Sequence, residues 1–152
     1  MNKQQLQKRY EIIETHLRRY KTYLIAIKNL QETIDDISPN VTSSYEQRES
    51  TSSVFEIKSS TEDIAIDRIE SRRVLNMLEE MRDYQRIINS IDNAMTALES
   101  QQRDLCNFRY IHNQSVQKTC QSANMSERVY HRERHKALKS LSISLSNIIK
   151  VV

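Results

Sequence analysis

Apolar residues recur in the first segment at Leu6, Ile13, Tyr20, Ile27 and Ile34, each seven positions after the last. A second row runs through Tyr10, Leu17 and Leu24 and stops at Gln31, while a third joins at Tyr23, Leu30 and Ile37. The offsets of three and four between rows predict a helical heptad seam over residues 2–37. Its apolar face widens toward the end, which fits a bundle better than a bare two-stranded coil. Asp35, Asp36, Ser38 and Pro39 are expected to end the helix. Residues 38–59 are rich in Ser and Thr and predict a linker, mobile or laid loosely on the surface. A short strand at 54–58 would fit there but has no support from its neighbours.

The next helix is expected to open at Ser60, where Ser60 and Asp63 have capping-box spacing and acids fill the first turn. A second seam follows at Val74, Met77, Met81, Tyr84, Ile88, Ile91, Met95 and Leu98, alternating steps of three and four without a slip. Such a seam requires cover. The first helix folded back, the same helix of another subunit, or an ordinary core would each supply it.

Residues 99–111 predict another helix, ending in a turn at His112, Asn113 and Gln114. A short helix over about 115–123, a turn at Asn124 and Met125, and a longer helix from Ser126 complete the pattern. Ser115 and Ser126 are good N-caps. Asn113 and Asn124 stand where a left-handed residue is needed, and Asn is the best substitute for Gly there. Cys120 and Ala123 are small enough for the crossing of a helix-turn-helix. On the last helix Tyr130, Ala137, Leu138 and Leu141 form an inward stripe with Met125. Glu127, Arg128, His131, Arg132 and His135 share the opposite face, flanked by Lys118, Arg134, Lys136 and Lys139. A helix that reads the major groove needs this arrangement, with long donors for base edges and lysines for phosphates.

Composition narrows the alternatives. The chain has no Gly, one Pro and no Trp, which excludes the Gly-rich loops that cradle phosphates in nucleotide-binding folds and disfavours tight hairpins. Leu, Ile, Val and Phe make up about 24% of the residues, above the roughly 20% at which disorder becomes the default. A mean hydropathy of −0.70 with 28% charged residues implies a thin core. Residues 60–98 carry five basic and eight acidic side chains, and residues 99–152 carry nine and four. A polyanion-binding end attached to a neutral or acidic remainder follows from that asymmetry.

No nucleophile–base arrangement is recognisable, and the acidic pairs Asp35/Asp36, Glu62/Asp63 and Glu79/Glu80 point in divergent directions. A non-enzyme without cofactor is expected. His131 and His135 have metal-ligand spacing, but the cations around them argue against a metal. Cys106 and Cys120 are expected to be reduced and core-packed. With neither an apolar signal region nor a membrane-length apolar run, a cytoplasmic protein is expected.

Residues from about 87 to 141 resemble the promoter-reading C-terminal domain of bacterial sigma factors. The likeness runs through Leu98, Arg109-Tyr110, Asn113, Ser115, Met125-Ser126-Glu127-Arg128 and Lys136-Ala137-Leu138-Lys139-Ser140-Leu141. In layout the chain is similar to phage late-gene activators of the ArpU/RinA type. That resemblance implies a sequence-specific DNA-binding transcriptional activator in a bacterial host, with Glu127, Arg128, His131 and Arg132 reading bases and Lys136 near phosphate. Asn113 stands where the family commonly has Gly, Thr119 where an aliphatic residue is usual, and Glu133 at a usually apolar inward position, so looser packing of the recognition helix is expected there.

The expected architecture is all-α. An N-terminal helix at 1–37 serves oligomerisation or partner contact, 38–59 is a linker, 60–98 is a long central helix, and 99–152 is the DNA-binding domain. Ser126 and His135 join the expected DNA-contacting set, with Lys118 and Lys139 at its flanks. Double-stranded DNA, RNA polymerase and further copies of the chain are the expected partners, with no membrane. The rivals are a DNA-packaging terminase small subunit, which also joins a helix-turn-helix to oligomerising helices, and a coiled-coil adaptor that binds an acidic protein.

Overall fold

The computed structural model describes residues 3–46 and 60–149, and the fold is all-α. Among the described residues six α-helices follow one another: α1 (Lys3–Arg18), α2 (Tyr20–Glu46), α3 (Ser60–Thr96), α4 (Ser100–Cys106), α5 (Val116–Ser122) and α6 (Glu127–Ser144). A π-helical turn, Asn107–Ile111, continues α4. No strand occurs among the described residues.

The N-terminal heptads become two helical segments meeting at Arg19. Hydrogen bonds from Arg19 N to Thr15 O (3.1 Å) and from Tyr23 N to Arg19 O (3.0 Å) carry the ladder across the junction. The expected stop before Pro39 is not observed, since α2 continues to Glu46. Proline within a helix removes one ladder hydrogen bond and its ring crowds the carbonyl four residues earlier, a cost that α2 bears at Pro39. The predicted linker therefore yields residues 38–46 to α2. Its remainder, 47–59, lies outside the described residues together with the strand considered at 54–58. The side chains of the Ser60–Asp63 capping pair lie outside them too.

The chain divides into two compact units, one of residues 1–24 with 85–152 and one of residues 25–84. The first has a continuous core. Tyr10, Ile13 and Leu17 of α1 meet Ile91, Ala94 and Met95 of α3, Leu105 and Cys106 of α4, Tyr110, and Tyr130, Ala137, Leu138 and Leu141 of α6. The boundary expected at residue 99 is therefore corrected: α1 and the end of α3 belong with α4–α6. The inward side of α6 also includes Glu133 and Ser142, a face too broad for α4 and α5 alone to cover. Beyond α6, Leu145 and Ile149 fold back onto the same core, and Val152 lies outside the described residues.

In this unit the second half of the central seam, Ile88, Ile91, Met95 and Leu98, is buried. The corner after it is made by Arg103. Its Nε donates to Met95 O (3.1 Å), and its Nη2 donates to Thr96 O (3.3 Å) and Leu98 O (3.1 Å). A guanidinium thus gathers carbonyls at and just beyond the end of α3, where Met95 O also accepts from Leu98 N (3.3 Å), at the negative pole of the helix.

In the second unit Ile34 is buried, and Ile27, Leu30, Ile37, Val74, Met77, Met81 and Tyr84 are half-buried. Ile25, Ile66, Ile69 and Leu75 are exposed. The thin core foreseen from the hydropathy is found here.

Ile91 has 0% of its surface exposed. Ile91→Ala is expected to cost about 2–5 kcal/mol through lost burial and the cavity left behind, read as a lower urea midpoint in circular dichroism with the slope unchanged.

Candidate nucleic-acid interface

Two left-handed residues set the geometry of α5 and α6. Asn113 has φ 52° and Asn124 has φ 55°, at the two positions where the sequence requires them. A Cβ makes this region unfavourable for most residues, and Asn offsets part of the cost with local hydrogen bonding. Ser115 Oγ accepts from Lys118 N (3.2 Å) and caps α5. Ser126 Oγ accepts from Val129 N (3.4 Å) and caps α6. Met125 N donates to Cys120 O (3.0 Å) and closes the turn between the two helices.

Thr119, at a position usually aliphatic, is fully buried. Its hydroxyl donates to Ser115 O (2.8 Å), so the polar group enters the core already partnered.

Along α6 the expected inward stripe is buried, and Arg128, Arg132, His135, Lys136 and Lys139 are exposed on the other side. Arg128 to Lys139 covers roughly 17 Å of helix axis. Glu127 and His131 are exposed and face each other at 3.7 Å, and the His131 ring stands edge-on to Tyr130. Lys118 is exposed on α5. The His135 ring lies 6.0 Å from that of Tyr10 on α1, nearly perpendicular to it. His135 thus stands where the cationic face meets the N-terminal helix. Ser126 is exposed, but its hydroxyl is the α6 cap.

Arg134 departs from expectation. Instead of flanking the outward face, it turns inward, donating from Nε to Tyr110 Oη (3.0 Å) and from Nη2 to Glu14 Oε1. Tyr110 Oη in turn donates to Glu14 Oε1 (2.8 Å). Arg18 lies against Glu14 Oε2 at 4.0 Å and over the Tyr110 ring at 5.8 Å. Burial and the neighbouring Glu14 carboxylate push the Tyr110 hydroxyl well above its ordinary value. The same two causes push the Cys106 thiol up to about 12, so this cysteine stays protonated and inert at neutral pH. Arg109 is also engaged internally, donating from Nη1 to Gln114 O (2.7 Å).

Glu133 corrects the expectation of loose packing. Its side chain is 4% exposed. Oε2 accepts from Gln102 Nε2 (3.2 Å) on α4, and Oε1 accepts from Arg132 Nε (2.9 Å) and Lys136 Nζ (3.2 Å). The Gln102 hydrogen bond first, then Arg132 and Lys136, hold the carboxyl down at about 2 against the opposing effect of burial.

Of the predicted residues, Arg128, Arg132, His135, Lys136 and Lys139 come together on one face. Glu127 and His131 border it, Lys118 lies on the neighbouring helix, and Ser126 serves the backbone. Glu14 and Gln102, which help hold this arrangement, were not singled out from the sequence, and Tyr110 entered only as part of the likeness, without this role. Their partners are 24 to 120 positions away, beyond any local periodicity. Among the described residues no three His, Cys, Asp or Glu side chains gather as a metal site, and no helix is long and apolar enough to cross a membrane.

Comparison with family models, with curated proteins and with solved structures found no match to this chain.

Glu14→Gln leaves Arg134 without its carboxylate and is expected to cost about 2 kcal/mol, the range for a hydrogen bond to a charged group, seen as a lower melting temperature. Glu133 adds an acid-sensitive contribution. Because its folded-state value lies near 2 against an ordinary 4.5, its stabilisation is complete above pH 4.5 and is lost as the pH falls toward 2. The stability gap between the unmodified chain and Glu133→Gln should therefore narrow across that window in urea titrations.

Proposed function

We propose that this chain is a sequence-specific DNA-binding regulator of transcription, with α6 lying in the major groove of duplex DNA and α5 set across the backbone as the first helix of a helix-turn-helix. The observation that carries the reading is the composition of α6. Its exposed stripe is cationic over three turns, while its opposite side is sealed into the core. An arginine row with a lysine flank matches base edges within the groove and phosphates at its rim. The resemblance of residues 87–141 to the promoter-reading domain of sigma factors supports the same reading, and the layout of the whole chain supports an activator of phage late genes acting with RNA polymerase in the bacterial cytoplasm.

One such helix touches few base pairs, so pairing of two copies on adjacent half-sites would raise affinity and selectivity together. The exposed Ile25, Ile66, Ile69 and Leu75 of residues 25–84 support self-association.

Selection of bound duplexes from a randomised library is expected to return one recurrent sequence, which footprinting then locates on longer DNA. Arg128→Ala should cost about 1–3 kcal/mol of discrimination between that sequence and others. Lys139→Ala should weaken all duplexes alike and lower the salt slope by about one. A library that returns no recurrent sequence overturns the proposal.

A further inference from the structure

The cationic face contains a carboxylate that does not belong to its surface. Glu133 lies on α6 between Arg132 and Arg134, with its side chain 4% exposed, while the cations it engages, Arg132 and Lys136, are 62% and 54% exposed. Burying a carboxylate is costly, and a well-packed apolar residue at such a position commonly gives equal or better stability. The stability that the charge contributes does not by itself explain why a carboxylate, rather than an apolar residue, stands here. The hydrogen bonds suggest a different role. Gln102 Nε2, on buried Gln102 of α4, fixes one carboxylate oxygen. The other oxygen takes Arg132 by Nε and Lys136 by Nζ.

Resting on the reading of α6 as a DNA-facing helix, we propose that Glu133 is the positioning residue of that face: it fixes Arg132 and Lys136 in one geometry, lowering attraction to DNA in general and raising selectivity for one sequence. Two consequences follow from the geometry. With Nε engaged, the plane of the Arg132 guanidinium is set and its two Nη groups form the leading edge, the edge that makes paired hydrogen bonds to a guanine. In addition, one negative charge is subtracted from a row that would otherwise bind any polyanion through phosphate contacts alone. A less mobile, less charged face exchanges non-specific affinity for discrimination.

The test compares two duplexes, one selected from a randomised library by the unmodified chain and one scrambled from it, with the full-length protein and across a salt series. Glu133→Gln keeps the side-chain shape and removes the charge. Binding to the scrambled duplex should tighten several-fold, the salt slope should steepen by about one released counterion, and the selected-to-scrambled ratio should fall roughly tenfold. Gln102→Leu keeps every charge and removes the anchor. It should lower the ratio while the salt slope stays the same, and it carries the test if Glu133→Gln fails to fold. A merely structural role would weaken both duplexes in proportion and leave the ratio intact in both variants, which overturns the inference while leaving α6 as the DNA-facing helix. If the unmodified chain prefers no duplex at all, both the inference and the reading beneath it are overturned.

Discussion

Everything on the cationic face depends on where α6 is held, and the contact between α1 and α6 does much of that holding. Glu14 takes Arg134 and Tyr110 on one carboxylate oxygen, while Ile13 and Leu17 of the same helix enter the shared core. The polar tie and the apolar packing act together. Packing supplies most of the free energy in proportion to the area removed from water. The polar tie permits few orientations, because a rotation of α6 about its axis would take the half-buried Arg134 guanidinium away from both Glu14 and Tyr110. Arg134 is thereby withdrawn from the outward face.

Much of this unit can be read locally. Asn113 and Asn124 in a chain without glycine mark two left-handed positions, and the serines two residues after each mark helix starts. Spacing also separates Tyr130, Ala137, Leu138 and Leu141 from Arg128, Arg132 and Lys139. What escapes local reading depends on partners distant in sequence. Arg134 scores as one more cation until Glu14 is seen beside it, and Glu133 reads as a misfit until Gln102 approaches from α4. The π-helical turn at Asn107–Ile111 is invisible for a related reason: its side chains suit an ordinary helix, and its wider bonding, with His112 N to Asn107 O at 2.9 Å, occurs where the chain leaves α4 for α5. The extension of α2 past Pro39 shows the opposite case, in which a strong local stop signal is outweighed by the helix around it.

Three polar groups in and beside this core share one feature. Thr119 gives its hydroxyl to its own helix cap, Arg103 gives its guanidinium to the end of α3, and Glu133 divides its oxygens between a buried amide and two surface cations. Each group is satisfied before or as it is buried, so the desolvation penalty is offset locally. The outcome is a small unit whose interior holds the Glu133 carboxylate without leaving it unpaired. That core can thus hold a helix that presents so many cations to water.

The unit is also discontinuous along the chain. Its first helix is separated from the rest by residues 25–84, and the contacts that join its ends, Glu14 with Arg134 and Arg9 Nη2 with Ser142 O, close loops of 120 and 133 residues. A polypeptide leaves the ribosome from its N-terminus, so α1 must wait for its α6 partners until residues 134–142 have emerged. Long-range closure of this kind slows folding and prolongs the exposure of an apolar helix to other nascent chains. The cationic helix's seat is therefore completed only after α6 itself has been made.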